Sequence, residues 1–333
     1  MAGLAGGVNP TLYDLNKRLA PDGKIDQIIE VLNDTNEILM DMSFQEGNLP
    51  TGNKTTIRTG LPTPTWRALY QGVQPTSSQT AQVTDTCGML EANSEVDKKL
   101  AELANNKQEF LYSELLGQME GFNQEVASTL FYGDVLTNPE KFHGLAPRYP
   151  YDDAPMVIDA GGTGGGSIYT SVWLVVWGPQ TCFGIFPKGS KAGLQIMTND
   201  TPQRVTDASG YPYYAYTTNL NWDVGLVVRD WRAIVRICNL ATTGTSNVIS
   251  NDLLIQAFHK IPPEVMRMGR PAVYMNRGQM ESLDRAANTA SAGKAITLTE
   301  TVEGGKPVTR WRGIPLRRCD AILETEAELT ATP

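Results

Sequence analysis

The stretch from Phe44 to Asp97 limits the possible folds more than any other part of the chain. Thr55 to Tyr70 and Thr80 to Leu90 are rich in Thr and Val, and Gln71 to Gln79 (QGVQPTSSQ) is a turn-like spacer of Gly, Pro and Ser. Together they read as the two extended arms of a long hairpin. Its large apolar residues, Ile57, Leu61, Trp66, Leu69 and Val83, are too sparse to make a private core, and an isolated two-stranded hairpin is only marginally stable in water. Such an element needs a surface outside itself. Arg58 and Arg67 give this arm positive charge; the bland alternative is an ordinary exposed hairpin with hydrated arginines.

A second stretch, Asn106 to Gly133, supplies the opposite kind of element. Leu111, Leu115, Met119, Phe122, Val126 and Leu130 recur at three- and four-residue steps, the spacing of one face of a single long helix. Asn106 and Glu109 make a capping-box-like start, and Gly133 is a natural left-handed stop. At 1.5 Å per residue this predicts a rod of roughly 40 Å. Glu109, Glu114, Glu120 and Glu125 are assigned to its outward face as a row of carboxylates, complementary to Arg58 and Arg67 of a neighbouring copy.

The chain has 333 residues, of which 41% are apolar, enough for one large or two modest domains with a real core. A net charge of -8 argues against a general nucleic-acid binder, because counterion release needs clustered Lys and Arg. Residues 1–10 hold no basic segment followed by a long apolar run, and the longest apolar run, Val172 to Trp177, is too short to span a bilayer. The sequence therefore predicts a soluble chain without a membrane segment. Cys87, Cys182, Cys238 and Cys319 are scattered singly, which predicts buried free thiols rather than a zinc or redox site.

In chain order, residues 1–24 are rich in Gly, Ala, Pro and Asn and predict an arm that orders only against something else. Ile25 to Met42 predicts a helix, and Ser94 to Leu103 a short one. Gly161 to Ser167 (GGTGGGS) lacks the Lys-Ser/Thr ending of a phosphate loop, and Pro187 to Gly193 is a surface turn. Further on, Val172 to Trp177 predicts a buried strand, and Tyr213 to Val228 with Ala233 to Leu240 a hairpin around Asp230, Trp231 and Arg232. Asn251 caps a helix ending near Lys260, Pro271 to Tyr274 makes a short strand, and Asn276 caps the helix Gly278 to Asn288. Ile296 to Val302 and Pro307 to Leu316 form another hairpin, with Ala321 to Leu323 as a last strand. The fold class is α+β.

Motifs for catalysis are absent. His143 and His259 lie in no pattern with a nucleophile or metal ligand, and no nucleophile elbow, zinc-protease helix or dinucleotide fingerprint occurs. Asp152 and Asp153 are adjacent and point apart on an extended chain. The reading is of a non-enzyme with no catalytic residue, cofactor or metal site; a soluble α/β hydrolase with a carboxylate or metal site unseen by motifs is the rival from another class.

An arm, a helix, a weakly cored hairpin, a long helix and a terminal α/β region, in that order, resemble the tailed-bacteriophage major capsid protein fold of the Hong Kong 97 type. Particular strings agree: RTGLPTPTWR (Arg58 to Arg67), FHGLAPRY (Phe142 to Tyr149), VWLVVWG (Val172 to Gly178), GIFPK (Gly184 to Lys188) and WDVGLVVRDWRAIVR (Trp222 to Arg236) followed by Asn239. They are similar to the major capsid proteins of short-tailed phages such as epsilon-fifteen. The resemblance implies an N-terminal arm (1–24), a helix of the peripheral domain (25–43) and an extended loop (44–90) reaching over an adjacent subunit. It further implies a peripheral domain (91–166) with its spine helix (106–133), an axial domain (167–288) and a return to the peripheral sheet (289–333).

By the same resemblance the chain assembles with itself into hexamers and pentamers of an icosahedral phage head enclosing double-stranded DNA without reading its sequence. The resemblance implies as partners a separate scaffolding polypeptide, a portal and a decoration protein, in the virion and, before that, in the host cytoplasm. Arg58, Trp66 and Arg67 on the loop, and Glu109, Glu114, Glu120 and Glu125 on the spine, become contacts between subunits. Two departures stand out. The predicted loop tip, Gln71 to Gln79, has no lysine, so no covalent cross-link between subunits is expected, and the chain lacks a long helical N-terminal extension acting as a built-in scaffold. A bacterial nanocompartment shell is the rival within the same fold.

Overall fold

The structure is a computed structural model that describes residues 36–104, 106–164, 166, 168–207, 209–242, 244, 246–289, 298–303 and 306–332. The expected N-terminal arm and most of the expected helix Ile25 to Met42 lie outside the described residues. What is described of that helix is one turn, Ile38–Asp41, with Ile38 fully buried.

The chain then lays down strands β1 (Phe44–Glu46), β2 (Gly52–Gly60) and β3 (Gln79–Asp97). A short helix, Lys98–Leu103, leads into the spine helix Lys107–Tyr132. Strands β4 (Val157–Asp159), β5 (Tyr169–Trp177), β6 (Cys182–Phe186), β7 (Gln195–Thr198), β8 (Gln203–Thr206), β9 (Pro212–Val228) and β10 (Ile234–Ala241) follow. After the helices Asn251–Lys260 and Pro263–Arg267 come β11 (Arg270–Met275), the helix Arg277–Thr289, and β12 (Leu298–Glu303), β13 (Lys306–Trp311) and β14 (Ile314–Arg318). All are joined in one 14-stranded mixed network whose main path runs β12-β13-β14-β11-β5-β6-β9-β3-β2.

The middle of that network is β5, every residue of which is buried. Its run of β-branched and aromatic side chains is the pattern of a strand covered on both faces. β10 and β11 pair with it from either side, both antiparallel. Trp173 at its centre touches Phe131 of the spine and Tyr149, each with ring centroids 6.2 Å away, and so fastens the C-terminal half of the spine to the sheet.

The spine runs for 26 residues, about 39 Å, with Asn106 as its cap accepting from the Glu109 N–H. Its apolar face is not buried evenly. Phe122, Val126 and Leu130 are buried, Phe110 belongs to a smaller cluster with Val96, Leu100 and Tyr216, and between them Tyr112, Leu116 and Met119 are exposed. Gly133 does not end the helix by a left-handed turn: it has φ -57°. It is needed for space, since a Cβ there would stand 2.5 Å from the Phe142 carbonyl oxygen and 2.6 Å from that of Thr129.

Other expectations are corrected by pairing. Residues Ser94 to Asp97 stay in β3 instead of opening a helix, because they pair with Thr218 to Ala215 of β9; Asp97 caps the helix that starts at Lys98. β9 and β10 do not form a hairpin with each other. Asp230 accepts from the Arg232 N–H at 3.0 Å, a one-turn 3-10 helix redirects the chain, and β10 goes to β5 and β4. Ser250, not Asn251, caps the next helix, while the Asn251 side chain accepts from the Trp311 indole N–H at 3.0 Å. Ala321 to Leu323 is not a strand. The Asn276 cap, which accepts from the Gln279 N–H at 3.0 Å, forms as expected. β12 and β13 pair as a hairpin, but the expected second arm Pro307 to Leu316 is broken at Arg312 and Gly313, both at positive φ, and folds back as β14 against β13.

Candidate assembly interface

β2 and β3 make the expected long hairpin, in register from Gly52 opposite Thr86 to Arg58 opposite Thr80. Its ladder ends earlier than the sequence suggests. Beyond Gly60 and before Gln79, residues 61–78 form no regular structure, and the turn falls at Leu69 and Tyr70, the latter with φ 67°. The arm projects about 26 Å from its root at the rise of an extended strand. Leu61, Trp66, Leu69 and Tyr70 are 77–103% exposed at its end.

The root, by contrast, is tightly held. At Gly52 a Cβ would stand 2.0 Å from the Asp85 carbonyl oxygen, so β3 passes closer than any side chain permits. Asn48 closes a small ring with Lys54 through two 2.8 Å hydrogen bonds. Asp85 is buried and accepts from the Arg148 guanidinium at 2.7 Å. Arg148 also donates to the carbonyls of Gly144, His143 and Leu226. One guanidinium thus ties the arm to the loop after the spine and to β9. The arm is free-standing, and its root is fixed.

Arg58, Trp66 and Arg67 are all exposed along the arm, and neither arginine has an ion-pair partner among the described residues. The four spine glutamates do not make one row. At 100° per residue, Glu109 and Glu120 fall within about 20° of each other, and Glu114 and Glu125 lie roughly 140–160° further round. Glu125 is engaged at home, with Lys141 Nζ at 2.7 Å and Thr129 Oγ1 at 3.3 Å. Glu120 accepts from the Gln124 amide at 3.0 Å, Glu109 takes part in the helix cap and is exposed, and Glu114 and Glu120 are both half-buried.

Two clefts flank the root. One of about 310 Å³ lies beneath the arm, lined by Ile57, Val83, Tyr149, Met156 and Trp231. The other, of about 220 Å³, opens between β3, the spine and the segment Glu140 to Phe142. Neither gathers catalytic groups. His143 Nδ1 is 3.5 Å from Asp134, with burial and Arg148 pushing its pKa down, and no nucleophile completes the pair. Among the described residues no group of three or more His, Cys, Asp or Glu could hold a metal ion. None of the described helices is long and apolar enough to cross a membrane. Cys182, Cys238 and Cys319 are buried and Cys87 half-buried, all as free thiols; burial pushes Cys87 up to about 12, with Asp223 and Asp85 adding to it.

The mixed α+β fold built this way is matched by phage capsid structures. The chain belongs to the family of major capsid protein GP7, matched over residues 20–330. A chain of the bacteriophage Epsilon15 structure is 34% identical to it, with a TM-score of 0.74, covering 99% of this chain and 100% of that one. The bacteriophage JBD30 capsid shares the fold at 11% identity and a TM-score of 0.50, over 88% of this chain and 92% of that one. No curated protein sequence matches the chain. It is thus a structural component of an icosahedral phage capsid that assembles with copies of itself into a shell.

The sequence missed two buried ion pairs that hold this framework, Asp85–Arg148 and Arg236–Glu326. A signal for the second existed: Arg236 stands inside the apolar run Ile234 to Cys238, where a charge requires a partner.

Proposed function

We propose that this chain forms the hexamers and pentamers of a phage head that encloses double-stranded DNA, by laying each arm over an adjacent subunit. The supporting observation is the arm itself: a hairpin with no core, a tip of bare apolar side chains, and a root fixed by a buried ion pair. A single subunit leaves that apolar surface in water, and a neighbour removes it. Residues 44–90 are the extended loop, 91–166 the peripheral domain, 167–288 the axial domain and 289–333 the return to the peripheral sheet.

On this reading Arg58, Trp66 and Arg67 meet a neighbouring copy, and Glu109 and Glu120 present the carboxylates that the spine offers outward. Glu114 and Glu125, expected in the same row, face nearly the opposite way and would meet a different surface. Assembly takes place in the host cytoplasm with a separate scaffolding polypeptide and a portal, and with decoration subunits where these exist. The acidic balance suits a container, because an acidic lining repels phosphates and lets the genome enter and leave.

Electron microscopy with sedimentation of the purified chain, alone and with its neighbouring gene products, tests this. Closed shells of megadalton mass, or hexamers and pentamers, are expected; a monomer under every condition would overturn it.

A further inference from the structure

The 220 Å³ cleft beside the root has a floor and a charged rim. Val126 and Phe142, each 2% exposed, and Leu90 form its apolar bottom, and Met89, 76% exposed, stands at its mouth. On the rim Lys141 is committed to Glu125 at 2.7 Å, whereas Glu140 has no ion pair among the described residues. The rim therefore carries one uncompensated negative charge. This is room for one large flat side chain with a cation beside it.

The chain carries such a pair at its own far end. Trp66 is 101% exposed, and Arg67 follows it without an ion-pair partner among the described residues. The β2–β3 register holds the tip out from the root, so this Trp66 does not reach the cleft of its own subunit. A second copy's does not have that restriction.

We propose that the cleft between Met89, Val126 and Phe142 is the receptor for Trp66 of an adjacent copy, with Arg67 of that copy against Glu140. The inference rests on the reading that the arm overlies a neighbour, and it adds the pocket, the anchor and the charge pair. Burying an indole in a desolvated pocket with a rim charge is the arrangement that concentrates interface energy at few residues. It also fixes register between subunits, since a cation faces the one free rim carboxylate.

The test keeps the aromatic bulk. Isotope-labelled chains with p-benzoylphenylalanine replacing Trp66 are co-assembled as a minor fraction with unlabelled wild-type chains, and the closed shells are irradiated and mapped by mass spectrometry. Adducts joining labelled position 66 to unlabelled peptides containing Met89, Val126 or Phe142 are expected. Closed shells whose adducts lie elsewhere, stay within one chain, or fail to form would overturn the docking alone. If the unmodified chain formed no shell in any condition, the arm-over-neighbour reading would fall and the docking with it. As a second measurement, Arg67→Glu should lower the yield of shells, and Glu140→Arg in the same chain should restore it; no restoration would overturn the charge pair.

Discussion

Arg236 shows how a single residue holds together segments far apart in the chain. It stands in buried β10 and donates to Glu326 at 2.8 Å, to Ser171 at 3.0 Å and to the Tyr149 carbonyl at 2.9 Å, with its guanidinium 5.0 Å from the Trp173 ring centre. Glu326 also accepts from Tyr132 at the end of the spine, whose phenol is held protonated chiefly by burial and then by that carboxylate. Both charged side chains are 5% exposed. Removing one partner leaves the other buried and unpaired, so Glu326→Ala should cost the subunit about 3–5 kcal/mol in urea denaturation. The arginine was conspicuous in the sequence, set among β-branched residues, but its partner lies 90 positions away and no local pattern names it. His143 gives a pH signature. Its pKa is held below the ordinary 6.5, by burial first and Arg148 second, against the pull of Asp134 and Asp85. The unfolded chain then takes up a proton before the folded one does. Stability contributed at His143 is complete above the unfolded value and is lost as pH falls toward the folded one. His143→Gln should flatten that part of the stability profile, measured by thermal denaturation across the acidic range.

Elements were legible where one pattern ruled them. The spine and β5 were readable because a long helical period and an unbroken apolar run have few alternatives: the spine lies within one residue of its expected bounds, and β5 ends at Trp177 as expected but starts three residues earlier, at Tyr169. β9 and β10 were misjoined because adjacency in sequence favours a hairpin, whereas β5 needed partners on both sides and took β10. Among the site residues, exposure of Arg58, Trp66 and Arg67 followed from their sparse apolar context, but the acidic row failed because spacings of five and six residues alternate between helix faces. Gly133 offers a test at this scale: Gly133→Ala should destabilise by about 1–3 kcal/mol through contact with two carbonyl oxygens, read by denaturant titration. Replacing residues 61–78 by a two-residue turn removes only surface that this subunit does not use. Subunit stability should then stay within about 0.5 kcal/mol, while shell formation is lost, as sedimentation would show.

At the scale of the whole molecule, the subunit buries its core in the central sheet and leaves its arm to be completed by others. Residues 61–78 hold no lysine, and Lys54 sits at the root in the ring with Asn48. Denaturing gels of mature particles should therefore show monomer rather than a ladder. β3 has one further property. Its outer part belongs to the arm, while Cys87 to Asp97 pair without interruption along β9 of the main sheet. Tension applied at the tip runs straight down the strand and meets that ladder lengthwise, so its hydrogen bonds must yield together in shear rather than unzip one after another. A shell strained from within by its contents would then part between subunits before any one of them is pulled open.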